Sequence, residues 1–426
     1  MKKGDFLYQQ YLNILTEELR PAMGCTEPIA MAYAAAKARQ ILGCIPDKIR
    51  LFVSGNIIKN VKSVVVPNTG GLHGMAAAIS AGIIAGDADK ELEVISCVPV
   101  EKHAQIKEYM QKVDMEIQPA YSDLVFDIDL FVYGEGNMVR LRIANHHTNV
   151  VLIQRNEEVL LELDVTGSSE ENLTDKSCLN IVDIVDFANS VDIEDIHPMV
   201  GRQIAYNMAI AQEGIENNWG ANIGKVMLRH QGSSPAKKAS AWAAAGSDAR
   251  MSGCEKPVII CSGSGNQGIT ASVPVVVYAQ EMGIDEEKML RAVVLSDLVT
   301  LYQKVGIGRL SAYCGAISAG CGAGSAIAYL QGGDAHAVAH VVVNAVAILS
   351  GTICDGAKPS CAAKIAAAVD AGILGYHMYL EGQQFYGGDG IVTKGVDKTV
   401  RNVGILAREG MRETDRTILE IMLQND

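Results

Sequence analysis

The chain has 426 residues, enough for one large core or two ordinary ones, and domains of ~100 to 200 residues make two the expectation. A formal net charge of −13 argues against nucleic acid or an anionic membrane as partner, because both need clustered Lys and Arg. Hydrophobic residues reach 49% while aromatics stay at 5%, and 42 glycines accompany them, so small-residue helices in close contact are expected.

The opening segment MKKGDFLYQQYLNILTEELRPAMG mixes Asp5, Glu17 and Glu18 among its apolar residues and has no signal-peptide apolar run. A cytoplasmic location is expected, where ten cysteines point to metal binding or catalysis rather than disulfides. Phe6, Leu7, Tyr11, Leu12, Ile14, Leu15 and Leu19 recur at helical spacing over 5–20, and Pro21 ends the pattern. A second helix runs through IAMAYAAAKARQIL, with Pro28 close to its start.

From Lys48 to about Val165, the runs IRLFVS, VKSVVVP, LEVISCVP, LFVYGEG, VRLRIAN, NVVLIQRN and VLLELDV read as strands, with helices over 72–85 and 101–112. The late clustering of strands predicts antiparallel pairing. Beyond residue 170 helical periodicity takes over in IVDIVDFANSV, GRQIAYNMAIAQEG, EEKMLRAVVLSDLVTLYQKV and AAKIAAAVDAGILGY. The expected class is α+β: a mixed region with an antiparallel sheet over 1–180, then a Gly/Ala-rich helical domain over 181–426. The boundary is expected near 165–195, and the N-terminal helices can dock on either half. AVAHVVVNAVAILSG falls short of the ~20 residues of a membrane span and reads as a buried helix.

The run VIICSGSGNQG satisfies G-x-G-x-x-G between Gly263 and Gly268. A dinucleotide site also needs a second parallel strand ending in an acidic residue ~20 positions on, and none precedes DEEKML. The loop reads either as a tight helix-start turn or as an anion cradle in which Ser264, Asn266 and Gln267 add neutral donors and acceptors.

Cys314 and Cys321 in GRLSAYCGAISAGCGAG, and Cys354 and Cys361 in GTICDGAKPSC, sit in Gly/Ala-rich surroundings. Their spacing matches neither a zinc knuckle nor a ferredoxin run and also suits inert core thiols. Cys25 in AMGCTEPIA precedes a helix start, where partial positive charge favours a thiolate that could serve as a general base. Lys358 and Lys364 are weak Schiff-base candidates. Ser234 and Lys237 form S-x-x-K without the partner motifs of an acyl-transfer enzyme.

RPAMGCTEPIAMAYA, VSGNIIKNVKSVVVPNTGG, SGSGNQGITASVPV, GRLSAYCGAISAGCGAG and GTICDGAKPSCAAKI together resemble the iron–sulfur-dependent L-serine dehydratase α-chain family, in particular its L-cysteine desulfidase branch and close relatives. The resemblance implies a [4Fe–4S] cluster on Cys314, Cys354 and Cys361 with one iron free of cysteine, Cys321 as a packing residue, and Cys25 as catalytic base. In the serine dehydratases the corresponding N-terminal segment is rich in Ser, His and Thr; Cys25-Thr26-Glu27 here favours cysteine as substrate. Those dehydratases can carry a further cysteine ligand at their C-terminus, whereas this sequence closes on IMLQND.

The implied reaction is α,β-elimination from a small amino acid to pyruvate and ammonia, releasing sulfide from cysteine. Ser264, Asn266 and Gln267 are the expected holders of the substrate carboxylate or amino group, with Asn56 and His147 as further candidates. L-serine dehydration with the same cluster and a cluster-based sensor without turnover are the alternatives. Closely packing Ala/Gly-rich helices are also compatible with a homodimer.

Overall fold

The computed structural model describes residues 1–120, 122, 124–165, 173–308 and 311–424, so part of the expected boundary region, 166–172, lies outside the described residues. The chain begins with α1 (Phe6–Glu18), the short β1 (Pro21–Met23) and α2 (Thr26–Leu42). Next come β2 (Lys48–Val53), α3 (Gly55–Val61), α4 (Met75–Ala85), α5 (Val100–Lys112) and β3 (Asp114–Pro119). The strands β4 (Asp127–Gly134), β5 (Asn137–Ala144), β6 (Val150–Arg155) and β7 (Glu158–Glu162) follow as a meander.

The helical part comprises α6 (Ile181–Ser190), α7 (Ile193–Glu216), α8 (Ile223–His230) and α9 (Pro235–Met251). After β8 (Pro257–Ile259) come α10 (Gly265–Glu281), α11 (Glu286–Ile307), α12 (Gly315–Leu330) and α13 (Ala335–Leu349). Then α14 (Ser360–Leu380), α15 (Val396–Ile405) and α16 (Arg412–Gln424) complete an α+β fold.

Among the described residues six strands form one sheet in the order β3-β2-β4-β5-β6-β7. Every pair is antiparallel except β2 with β3, which run parallel because α3 to α5 carry the chain back across the sheet between them. The sheet is therefore mixed. β3 escapes sequence reading because DMEIQP is polar and ends in proline, as suits an edge strand.

Two expected strands are absent. In VKSVVVP, Val64 and Val66 are fully buried, yet only the single bridge Val65 to His73 forms. In LEVISCVP, Val94 and Ile95 are buried while the backbone leaves a 3₁₀ turn at 88–93. Val66, Val94 and Ile95 pack into the core with α2 and α4, and Val64 against Cys25 and Met251, all without a ladder, so the hydrophobicity of both runs reports burial rather than strand.

One core gathers Ile29 to Leu42 of α2, the inner faces of β2, β4 and β5, and α4. A larger one gathers α6, α7 and α9 to α15 together with Tyr8, Tyr11, Ile14 and Leu15 of α1. Thus α1 packs with the helices: Tyr8 and Tyr11 flank the Phe187 ring at centroid distances of 5.4 and 5.2 Å. Within the larger core, α12 and α14 lie side by side and parallel, close enough that a Cβ on Gly320 would sit 2.4 Å from the Ala368 backbone. A Cβ on Gly324 would meet the Gly372 backbone at the same distance. Among the described residues no helix is long and apolar enough to cross a membrane.

Candidate active site

The stretches singled out in the sequence converge where the two cores meet. Strand β1 pairs antiparallel with β8, Pro21 opposite Ile259 and Met23 opposite Pro257, so the segment leaving β1 toward Cys25 and the segment leaving β8 toward the glycine loop depart from opposite ends of the pair. Thr26 Oγ1 ties the two by donating to the Gly263 carbonyl at 3.3 Å. Gly24 turns the chain at φ +62°, against Pro67, where a Cβ would lie 2.3 Å from the ring.

Among the described residues the β8–loop–α10 unit has no parallel partner strand, only antiparallel β1, so it lacks the βαβ context of a dinucleotide fold. Its last glycine still brings helix to strand closely: a Cβ on Gly268 would lie 2.0 Å from the Ile259 carbonyl.

A second local pairing places two thiols together. Cys314 N–H donates to the Thr352 carbonyl at 3.1 Å, and Cys354 N–H donates to the Ala312 carbonyl at 2.6 Å. The parallel contact of α12 with α14 brings Cys361, in the first turn of α14, alongside Cys314, the residue that precedes α12. The intervening loop presses on α3: Gly356 adopts φ +97°, and a Cβ there would lie 2.1 Å from the Lys59 carbonyl.

These elements enclose a cavity of about 120 Å³, a scale for a small molecule. Cys25, Asn56, His147, Ser264, Asn266, Gln267, Cys314, Cys354 and Cys361 all line it. Cys321, two turns further along α12, does not; it is buried in the core. Lys358 and Lys364 are tied to Asp355 at 2.5 and 2.6 Å, which gives them a structural role. Ser234 simply caps α9, accepting from Lys237 N–H.

The N-termini of α2, α10, α12 and α14 face this cavity, and none carries a side-chain cap. Uncapped N–H groups and helix dipoles make the cavity favourable to negative charge. Even so, Cys25 is not a resting thiolate. Burial first, and then the Glu27 carboxylate, push its thiol well up, outweighing the nearby Arg250. Cys25 Sγ–H donates to Glu27 Oε2 at 3.0 Å.

Glu27 is the site residue that sequence reading passed over as part of a motif. It is buried, and it also accepts from Thr26 Oγ1 at 3.0 Å and Asn60 Nδ2 at 2.9 Å. Burial alone would raise its carboxyl; the charge of His147 and the bonds from Cys25, its own backbone N–H and Thr26 prevail and hold it below the usual carboxylate range. His147 lies in the turn after β5, its ring edge-on to Phe126 at 4.8 Å. The side-chain oxygens Asn56 Oδ1 and Gln267 Oε1 are buried without a hydrogen-bond donor. Arg250, also absent from the sequence reading, lines the same wall.

Burial drives the Cys314 thiol up to about 12, and repulsion from Cys354 and Cys361 adds to it. Among the described residues no three His, Cys, Asp or Glu side chains converge to hold a single metal ion.

An α+β fold with a thiol-lined cavity between its two cores is the class that fold and site define. Residues 73–420 match the serine dehydratase alpha chain family, and the chain belongs to that family. It is 57% identical over 423 residues to a UPF0597 protein of Desulfitobacterium hafniense, covering 99% of this chain and 98% of that one. A UPF0597 protein of Treponema denticola is 44% identical over 424 residues, covering 98% of each chain. One of Fusobacterium nucleatum is 45% identical over 420 residues, covering 97% of this chain and 98% of its own. The family match begins beyond Cys25 and Asn56, whereas the likeness to these relatives spans nearly the whole chain.

Proposed function

We propose that the protein is a lyase that eliminates sulfide from L-cysteine, yielding pyruvate and ammonia, with a [4Fe–4S] cluster held by Cys314, Cys354 and Cys361. The observation that carries this reading is the meeting of those three thiols and the Cys25–Glu27 pair on one small cavity. The donor set suits a cluster. A cluster takes one cysteine per iron and so needs its thiols spaced apart; Cys314, Cys354 and Cys361 reach one cavity from two helix starts and a loop. Buried Cys314 and half-buried Cys354 and Cys361, close enough for their charges to repel as thiolates and set among helix N-termini, also gain from a bound cationic centre.

A cluster bound there would supply a Lewis acid on the iron that lacks a cysteine, stabilising charge on the substrate and on the departing β-substituent. The chain itself supplies the proton chemistry. Glu27 accepts the Cys25 proton along their existing hydrogen bond, and the sulfur, whose thiol is a weak acid here, becomes a strong base for the weakly acidic α-proton. The Cα–H pair forms the Cα=Cβ bond as Cβ–S breaks and hydrosulfide leaves. The aminoacrylate then tautomerises to an imine, which water hydrolyses to pyruvate and ammonia. The orphaned acceptors Asn56 Oδ1 and Gln267 Oε1 suit the substrate ammonium.

The family description favours one second reading, dehydration of L-serine with hydroxide as leaving group. The test is anaerobic purification with iron and sulfide, followed by sulfide and pyruvate release from L-cysteine beside pyruvate release from L-serine, for wild type and Cys25→Ala. Sulfide release that vanishes in Cys25→Ala while cluster absorbance stays supports the proposal. Turnover of serine alone selects the second reading, and a protein that never takes up iron refutes both.

A further inference from the structure

Three cationic side chains line the cavity: Lys59, Arg250 and Lys304. Lys59 is neutralised by Asp415 of α16. Arg250 is only 3% exposed, and no carboxylate among the described residues pairs with it. Among the described residues its side chain makes one hydrogen bond, from Nη1 to Asn266 Oδ1 at 3.1 Å, and Nε has no acceptor there. The C-terminus of α9, where Arg250 sits, favours a cation but does not supply a counter-ion. A buried guanidinium left this way is expensive unless an anion completes it.

The Arg250 side chain lies against the start of α10: a Cβ on Gly265 would fall 2.3 Å from Nε. There the backbone N–H groups of Gly265, Asn266 and Gln267 have no acceptor among the described residues, and Ser264 does not cap them. Two independent sources of unsatisfied donors, a guanidinium and a helix N-terminus, thus face the same volume. Asn266, by accepting from Nη1, fixes the plane of the guanidinium.

We propose that Arg250, oriented by Asn266 and joined by the first-turn N–H groups of α10, is the anchor for the substrate's α-carboxylate. The inference rests on the lyase reading for the word substrate, and it deepens that reading by fixing the ligand class as an α-amino monocarboxylate. It also explains the chemistry's direction. Arg250 and Cys25 line the same small cavity, so a carboxylate held by Arg250 keeps the carbon bonded to it, the α-carbon, in the cavity that holds the base. This anchor requires no contact between the carboxylate and iron.

The test uses the protein as purified anaerobically and an unreactive probe, L-alanine, with L-alaninamide and inorganic phosphate as comparisons, each titrated by calorimetry. Wild type is expected to bind L-alanine at least tenfold more tightly than L-alaninamide, with phosphate a poor competitor. Arg250→Gln is expected to weaken L-alanine at least tenfold, about 1.4 kcal/mol, and to leave L-alaninamide unchanged; Arg250→Lys falls between. In turnover, Arg250→Gln raises KM for L-cysteine with cluster absorbance intact. If Arg250→Gln fails to fold, Asn266→Ala, which frees the guanidinium plane, is expected to weaken L-alanine in the same selective way.

Equal binding of L-alanine by wild type and Arg250→Gln overturns the anchor, as does equal binding of L-alanine and L-alaninamide, or of phosphate and L-alanine, by wild type. Absence of L-alanine binding overturns it too. Selective loss of L-alanine binding in a protein that turns over neither cysteine nor serine would keep the anchor and sink the lyase reading. Normal KM in Arg250→Gln would do the reverse.

Discussion

Glu27→Gln separates two effects that a simple loss of a residue would merge. Glu27 raises the Cys25 thiol through its charge and through their 3.0 Å bond, so a neutral amide should let that thiol ionise at lower pH. The same change removes the group that takes the thiol's proton. Activity should fall by ~10²–10⁴-fold, as for loss of a positioned general base, even though the thiol has become more acidic. The amide keeps the carboxylate's shape, but its NH₂ must face Asn60 or the Cys25–Thr26 pair, all donors to Glu27. One buried donor is left unpaired, which costs about 1–3 kcal/mol of stability. The assay is the pH dependence of Cys25 alkylation, followed by mass spectrometry of its peptide, beside pyruvate release. Wild-type activity in Glu27→Gln, or an alkylation midpoint that rises, refutes the proton-transfer pair.

Further outcomes follow from features outside that pair. Asp297, fully buried in α11 and accepting from Gln203 at 2.9 Å, is raised by burial from 3.8 to about 7. Its protonated form is the folded one, so this contribution is complete below 3.8 and is lost as pH rises to about 7. Asp297→Asn should flatten the decline in thermal stability between pH 4 and 8, by on the order of 4 kcal/mol; parallel melting profiles would contradict it. Cys354→Ala should abolish iron retention, whereas Cys321→Ala should keep it and lose only about 1 kcal/mol of stability, measured by iron content and denaturant unfolding. Gly324→Ala drives a methyl into the Gly372 backbone and should cost ~1–3 kcal/mol, with iron retention falling in parallel; full iron content at wild-type stability would show that the helix contact does not set the ligand spacing.

Much of the site was legible because its residues stand in unusual local settings: cysteines amid glycines, a thiol before a helix, a polar loop after an apolar run. What stayed hidden was relational. Arg250 reads as an ordinary basic residue in the last turn of a helix, and only the surrounding structure shows that no carboxylate among the described residues forms an ion pair with it. Glu27 reads as first-turn acid, and its value comes from a donor on α3 and a histidine beyond β5, brought up by the fold. The helices were periodic and long enough to read. The failures, VKSVVVP, LEVISCVP and β3, arise where burial and ladder formation part company.

The contact of Gly320 and Gly324 on one helix with Ala368 and Gly372 on the other is backbone against backbone. Side-chain packing can relax by changing rotamer, but a contact of this kind has no such freedom. It acts as a ruler with almost no play between the helix ends that carry Cys314 and Cys361. If the proposed cluster binds, two of its three thiols are already set in place by the fold, so little conformational entropy would be lost on assembly. The third, on the loop that Gly356 bends toward α3, is where adjustment can occur, and that loop is also the seam along which the sheet-bearing half meets the helices.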